Sequence, residues 1–169
     1  QTIFTAANID RLADRASWIQ LTDMNPQVSE LALGREEEVN WTSTDGKTVG
    51  GVLVYPAGYT EGQRYPLIVA IHGGPAGADL LTFNGGYSAQ VYAGAGYAVL
   101  KPNYRGSTGY GNAHRTDIVG DYFTLGFDDI MTGVDYLIDR GIADGDQMGA
   151  LGWSAGGHWS NWILTHTDR

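Results

Sequence analysis

The stretch Met148-Gly149-Ala150-Leu151-Gly152-Trp153-Ser154-Ala155-Gly156-Gly157 decides how this chain folds. Met148 to Trp153 reads as a short strand, and Ala155 to about His166 as a helix. Between them lies a Gly-x-Ser-x-Gly turn, from Gly152 to Gly156. A chain that passes from strand to helix within one residue holds that residue in a strained geometry, and side chains on its neighbours would collide with adjacent elements. Glycines at those neighbours remove the collision. Ser154 is thereby lifted to the carboxyl edge of a sheet, near the positive end of the following helix, where a nucleophile would stand. A plainer reading makes Ser154 a helix cap, which explains the serine but leaves Gly152, Gly156 and Gly157 without a purpose.

Upstream, Pro66 to Ile71 is a continuous apolar run of the type buried on both faces of a parallel sheet. Tyr97 to Leu100 is a second such run, and Tyr87 to Ala95 fits a helix between them that Gly96 would end. Val39 to Thr44 and Thr48 to Tyr55 are β-rich runs split by Asp45-Gly46, a hairpin signal. Phe127 to Arg140 is the clearest helix, with Ile130, Val134, Leu137 and Ile138 on one face. Asp128 and Asp129 sit near its positive end and Arg140 near its negative end, and Gly141 follows as a cap. Strands alternating with helices predict an α/β fold, a mostly parallel sheet with flanking helices. Residues 1–38 are polar and weakly periodic, with one candidate strand at Ser17 to Leu21 and a turn at Asn25-Pro26. They are expected to be the end of a preceding domain and its linker, with Glu36-Glu37-Glu38 as a solvated boundary, leaving 39–169 as the main domain.

A chain of 169 residues with 43% hydrophobic content suits one sizeable core. A net charge of −9 without any basic run argues against nucleic acid as a partner. The longest apolar runs, such as Leu67 to Ile71, fall far short of the ~20 residues a membrane span needs. Cysteine is absent, which excludes disulfides and thiolate chemistry and leaves the compartment open. Asn40-Trp41-Thr42 fits a glycosylation triplet, but its place in a predicted strand makes a chance match the better reading.

His72-Gly73-Gly74-Pro75 directly follows the apolar run ending at Ile71. Acyl transfer needs two preorganised N–H donors for the developing oxyanion. Gly73 or Gly74 can offer one from the backbone, and Ala155, the residue after the serine, the other. Alone, the His-Gly-Gly-Pro run could be a tight turn; with the serine turn in the same chain, an oxyanion loop is the better account.

These stretches resemble the prolyl oligopeptidase family of serine peptidases, particularly its acylaminoacyl-peptidase and dipeptidyl-peptidase-like branch. The likeness rests on Tyr65 to Val69, His72 to Pro75, Asn103 to Gly111, Asp128 to Leu137, Gly152 to Gly157 and Asn161 to Arg169. It implies an α/β-hydrolase domain preceded by a propeller whose end would be residues 1–38. It also implies a Ser-Asp-His triad in that chain order, with Ser154 as nucleophile, no metal and no cofactor, and short peptides as substrates. The family's acid and base follow the nucleophile, and the sequence ends at Arg169. The chain is therefore expected to be a partial domain, missing its later strands and helices and silent in isolation. An esterase on the same scaffold and a catalytically dead association module are the alternatives. An exposed sheet edge and apolar faces would favour self-association or pairing with the missing segment.

Four residues leave their roles open. Some relatives place a tyrosine donor near the oxyanion loop where this chain has His72, so its side chain is a weaker oxyanion candidate. Arg105 could contact a substrate carboxylate or carbonyl, but pairing with an acidic residue such as Asp121 is the better expectation. Tyr104 and Tyr110 could line a pocket, with loop packing the safer reading. His114, His158 and His166 are not expected to replace the base: His114 falls in a Gly-rich loop, His158 points along the surface of the helix after Ser154, and His166 lies farther along that helix.

Overall fold

The computed structural model describes residues 3–83 and 88–169, and the chain divides into two units, Gln1–Ala32 and Leu33–Arg169. The first unit holds a two-stranded antiparallel ribbon, β1 (Phe4–Thr5) against β2 (Ile19–Gln20), and three short 3-10 turns. The predicted strand at Ser17 to Leu21 shrinks to two residues. The turn expected at Asn25-Pro26 opens one of the 3-10 helices, with Pro26 in its first turn, where a missing N–H costs nothing.

The second unit is an α/β sheet with helices on both faces, as the alternation predicts. In chain order it runs β3 (Glu36–Thr42), β4 (Thr48–Val54), β5 (Tyr65–Ile71), α1 (Ala89–Gly94), β6 (Ala98–Asn103), α2 (Gly111–Thr116), α3 (Thr124–Asp139), β7 (Ala143–Gly152) and α4 (Ala155–His166). The strands lie side by side in the order β3-β4-β6-β5-β7. The β3–β4 hairpin and the β4–β6 pair are antiparallel, whereas β6–β5 and β5–β7 are parallel. Gly46 turns the hairpin at φ 82°, a backbone angle that costs glycine little. The Glu36-Glu37-Glu38 run is the first half of β3 rather than a boundary, because its backbone pairs with Val54, Leu53 and Val52.

Alternating side chains send the sheet's apolar residues to both faces. Leu67, Val69, Ile71 and Leu100 pack with Ile130, Val134 and Leu137 of α3 and Trp159 of α4. On the opposite face Val52, Val54, Ala70 and Val99 meet Ala89 and Ala93 of α1. Each fully buried aliphatic side chain contributes about 1.5–3 kcal/mol, so the central strand is fixed from both sides. The helix expected over Tyr87 to Ala95 is α1, with Tyr87 outside the described residues. Helix α3 starts three residues earlier than predicted. That moves Asp128 and Asp129 away from its positive end and into other work. Asn40-Trp41-Thr42 lies in β3 with Trp41 buried. Among the described residues, no helix is long and apolar enough to cross a membrane.

Candidate active site

Ile71 and Gly152 are register partners at the carboxyl ends of the parallel strands β5 and β7. The chain therefore leaves both strands at the same edge, and residues 72–75 run beside residues 153–156. At the turn Ser154 adopts φ 57° and ψ −119°, and α4 begins at the next residue. For a residue with a Cβ this backbone stores about 1–3 kcal/mol of strain. The serine side chain is exposed, and Trp153 beside it is 77% exposed. Within α4's first turn the Gly156 N–H bonds Trp153 O at 3.0 Å and the His158 N–H bonds Ser154 O at 3.2 Å. The Ala155 N–H, first in the helix, has no acceptor within its own helix.

The glycines around the serine do different work. A Cβ on Gly156 would overlap the Ile71 carbonyl oxygen, and one on Gly152 would overlap the Gly156 backbone. Both must stay bare for α4 to dock on β5. A Cβ on Gly73 would lie 2.7 Å from Trp153 O and 3.2 Å from Ser154 Cβ, so the loop after β5 touches the serine turn itself. Gly157 departs from the expectation: its Cβ would find its nearest neighbour, Gly152 O, at an ordinary 3.6 Å, and close packing does not require it.

Strain at a functional residue should show as a stability gain when it is released. Ser154→Gly should be more stable than Ser154→Ala by about 1 kcal/mol, the strain relieved less the extra freedom glycine gives the unfolded chain. Equal midpoints in urea denaturation would mean the turn is relaxed.

His72 is buried, and both of its ring nitrogens are engaged. Nδ1 donates to Gly73 O at 2.8 Å, and Nε2 lies 3.0 Å from Ser107 Oγ. The ring stacks on Tyr104 at 4.7 Å, whose hydroxyl donates to His72 O at 2.7 Å. His72 thus aims neither nitrogen toward a substrate oxygen. Burial pushes its pKa below the ordinary value of about 6.5, with nearby Lys101 adding to the effect against Gly73 O and Asp79. The unfolded chain therefore binds the proton first. Stability attached to the neutral ring is full above pH ~6.5 and is lost as pH falls toward the folded value. The thermal midpoint should fall between pH 7 and pH 5; a level or rising midpoint would contradict the burial of a neutral imidazole.

Arg105 is fully buried, which corrects its candidacy as a substrate contact. Its Nη2 and Nε meet Asp129 at 2.7 and 3.0 Å, and its backbone N–H meets the same carboxylate at 2.7 Å. Ser43 Oγ donates to Asp129 at 2.6 Å, and Nη1 pairs with Asp45 in the β3–β4 hairpin loop. The hydrogen bond from Arg105 holds the Asp45 carboxyl below its ordinary pKa. Asp129, not Asp121, is the acidic partner. This knot ties the hairpin, α3 and the loop after β6 together, and that loop carries the Tyr104 and Ser107 that grip His72.

Tyr104 is loop packing, wholly buried against Trp159 at 4.4 Å. Tyr110 bonds Asn103 Nδ2 at 3.0 Å. His114 belongs to α2, a helix the sequence did not suggest, and its Nε2 meets the carbonyls of Asn103 and Tyr104. His158 lies 3.3 Å from the Tyr122 hydroxyl, and His166 stacks on Trp162. Among the described residues, no histidine bonds Ser154, and no cluster of three or more acidic, histidine or cysteine side chains could hold a metal. A cavity of about 390 Å³ opens between α3, α4 and β7, lined by Val69, Ile130, Val134, Met148, Ile163 and Leu164. Neither Ser154 nor the 72–75 loop lines it.

Comparison with known proteins gives this geometry a context. The model of the prolyl oligopeptidase family matches residues 82–169. The uncharacterized peptidase YuxL of Bacillus subtilis is 40% identical over 89% of this chain and 23% of its own length. Dipeptidyl-peptidase 5 of Schizosaccharomyces pombe is 35% identical over 77% of this chain and 19% of its own. A solved acylaminoacyl peptidase in complex with Z-Gly-Gly-Phe-chloromethyl ketone superposes with a TM-score of 0.79 at 32% identity, covering 90% of this chain and 24% of that one. The chain spans roughly a quarter or less of the length of these relatives.

Proposed function

This chain belongs to the prolyl oligopeptidase family, and from that premise we propose that the protein hydrolyses short peptides through an acyl-enzyme on Ser154. One observation carries the reading: the Ile71–Gly152 register sets the Gly73-Gly74 loop against the serine turn. That is where acyl transfer needs a nucleophile and two backbone donors within reach of one carbonyl. Ser154 Oγ attacks the scissile carbonyl. The Ala155 N–H and the loop N–H of Gly73 or Gly74 hold the oxyanion. The amine leaves with a proton, and water then releases the acyl group. The base must lie outside the four histidines at 72, 114, 158 and 166, each already bonded or stacked elsewhere. An aspartate–histidine pair later in the protein than these residues, as the resemblance implies, is the proposed source. The relatives' names, a dipeptidyl-peptidase and an acylaminoacyl peptidase, support peptides with a short amino-terminal portion as the substrate class.

The test compares turnover of an aminoacyl anilide with that of a simple aryl ester by the intact polypeptide carrying this sequence, and by its Ser154→Ala variant. Peptidase function predicts anilide turnover that the variant abolishes. Ester turnover alone would replace the peptidase reading by an esterase one.

A further inference from the structure

We propose that the small cavity beside Asp79, at the carboxyl end of β6, is a binding site for a primary alkylammonium group. Asp79 is 9% exposed, and its Oδ2 is buried without a hydrogen-bond partner. Its other oxygen, Oδ1, is taken by Lys101 Nζ at 2.8 Å. Lys101 is itself buried and does not line the cavity. Its charge balances one of the two carboxyl groups that do, Asp79 and Glu38; a single positive charge would balance the other. A buried carboxylate oxygen left without a donor is unfavourable, yet the fold holds this one firmly in place. The Asp79 N–H donates to Asn103 Oδ1 at 2.7 Å, and Asn103 Nδ2 donates to Asp79 O at 2.9 Å. Residue 79 is thus fixed before any ligand arrives, which lowers the cost of binding one.

The lining selects the kind of cation. An ammonium head carries three N–H donors and no acceptor, and the cavity offers three acceptors. Asp79 Oδ2 and the Glu38 carboxylate are two. The third is Tyr110 Oη, which accepts from Asn103 Nδ2 at 3.0 Å and keeps a second lone pair. Gly50 makes room for that hydroxyl, since a Cβ there would lie 2.5 Å from it. The rest of the wall is apolar: Val52 is buried, and Leu80 and Leu81 are 61% and 51% exposed. An alkyl stem laid along the leucines would remove apolar surface from water; a bare metal ion would gain nothing from them. The volume of about 100 Å³ is the room of roughly three waters at ~30 Å³ each, enough for the head and the first carbons of its stem. Ser154, Gly73 and Gly74 are not among the lining residues.

The test is a nuclear magnetic resonance titration of the polypeptide carrying this sequence with n-propylammonium chloride at constant ionic strength. The Asp79 carboxyl carbon and the Leu80 and Leu81 methyl groups should shift together and saturate. Tetramethylammonium chloride, which carries the charge without N–H donors, and potassium chloride should not reproduce the shifts. Glu38→Gln should weaken binding roughly two- to fivefold, the range for a solvent-exposed ion pair. Asp79→Asn should weaken it by about tenfold or more, because a bond to a charged acceptor is lost. Should Asp79→Asn fail to fold with Lys101 unpaired, the Asp79 carbon of the parent chain and the Glu38→Gln titration decide. No saturable shift would mean that water alone serves Oδ2 and would overturn the proposal. An equal response to potassium or to tetramethylammonium would overturn the alkylammonium assignment. An affinity unchanged in Glu38→Gln and in a folded Asp79→Asn would place the amine elsewhere.

Discussion

Gly156→Ala should destabilise the domain by about 3 kcal/mol or more, at the upper end of what overpacking costs. The added methyl would overlap the Ile71 carbonyl oxygen and approach the carbon of the same group at 2.8 Å. Neither neighbour is a side chain that can rotate aside; both belong to the backbone of β5, a strand paired on both sides. Relief requires α4 to lift from the sheet, and α4 carries Ala155 and follows directly on Ser154. A displacement of about 1 Å at a reacting group costs on the order of 100-fold in rate, so reactivity should fall with stability. Gly157→Ala is the internal control. Its methyl meets nothing closer than 3.6 Å, and alanine is the better helix former by roughly 0.5–1 kcal/mol. Adjacent glycines should therefore give shifts of opposite sign in urea denaturation. Similar shifts for both would refute the docking of α4 described above.

Arg105→Met should cost about 3–5 kcal/mol, the loss expected when one partner of a buried ion pair is removed. Methionine keeps much of the volume but leaves Asp129, which has no exposed surface, without its counter-ion. Set against a typical total of about 5–15 kcal/mol, this single change brings the domain near its unfolding threshold. Adding Asp129→Leu should recover part of the loss by removing the stranded charge. Recovery should stop short of full, because the Arg105 backbone N–H and Ser43 Oγ both lose their acceptor. Chemical denaturation of the single and double variants checks both statements. A single variant within 1 kcal/mol of the parent would mean that the knot contributes little.

What the sequence made legible was local. The strand–turn–helix around Ser154, the apolar run of β5 and the amphipathic face of α3 each repeat a short-range pattern that physics ties to one structure. Gly152 and Gly156 could be assigned because a serine turn needs bare neighbours on both sides. Ile130, Val134 and Leu137 were found because helical periodicity exposes a buried face directly. Contacts that depend on distant elements crossing were not legible. Arg105 had several acidic candidates, and only the approach of α3 to the hairpin loop selects Asp129 and Asp45 over Asp121. Asp129 offered one signal: it sits a turn from Gly126 and Gly133 on the buried face of α3, where a carboxylate needs a partner. Strand β7 extends back to Ala143 through Asp144, Gly145, Asp146 and Gln147, residues of low strand propensity. Pairing with β5 imposes that extension, and its register jumps between Tyr65–Ala143 and Leu67–Met148. Helix α2 was missed because a six-residue turn opening on Gly111 and Asn112 shows no periodicity. His72 was read as a possible donor because its place in the chain is visible from sequence and the direction of its ring is not.

Ser154 as the nucleophile is tested most directly by the intact mass of the polypeptide carrying this sequence after exposure to a fluorophosphonate probe. One adduct is expected, mapped to Ser154, absent from Ser154→Ala and formed about 100-fold more slowly in Gly156→Ala. A folded polypeptide that takes no adduct, or an adduct that persists in Ser154→Ala, would contradict the assignment of Ser154 as the nucleophile.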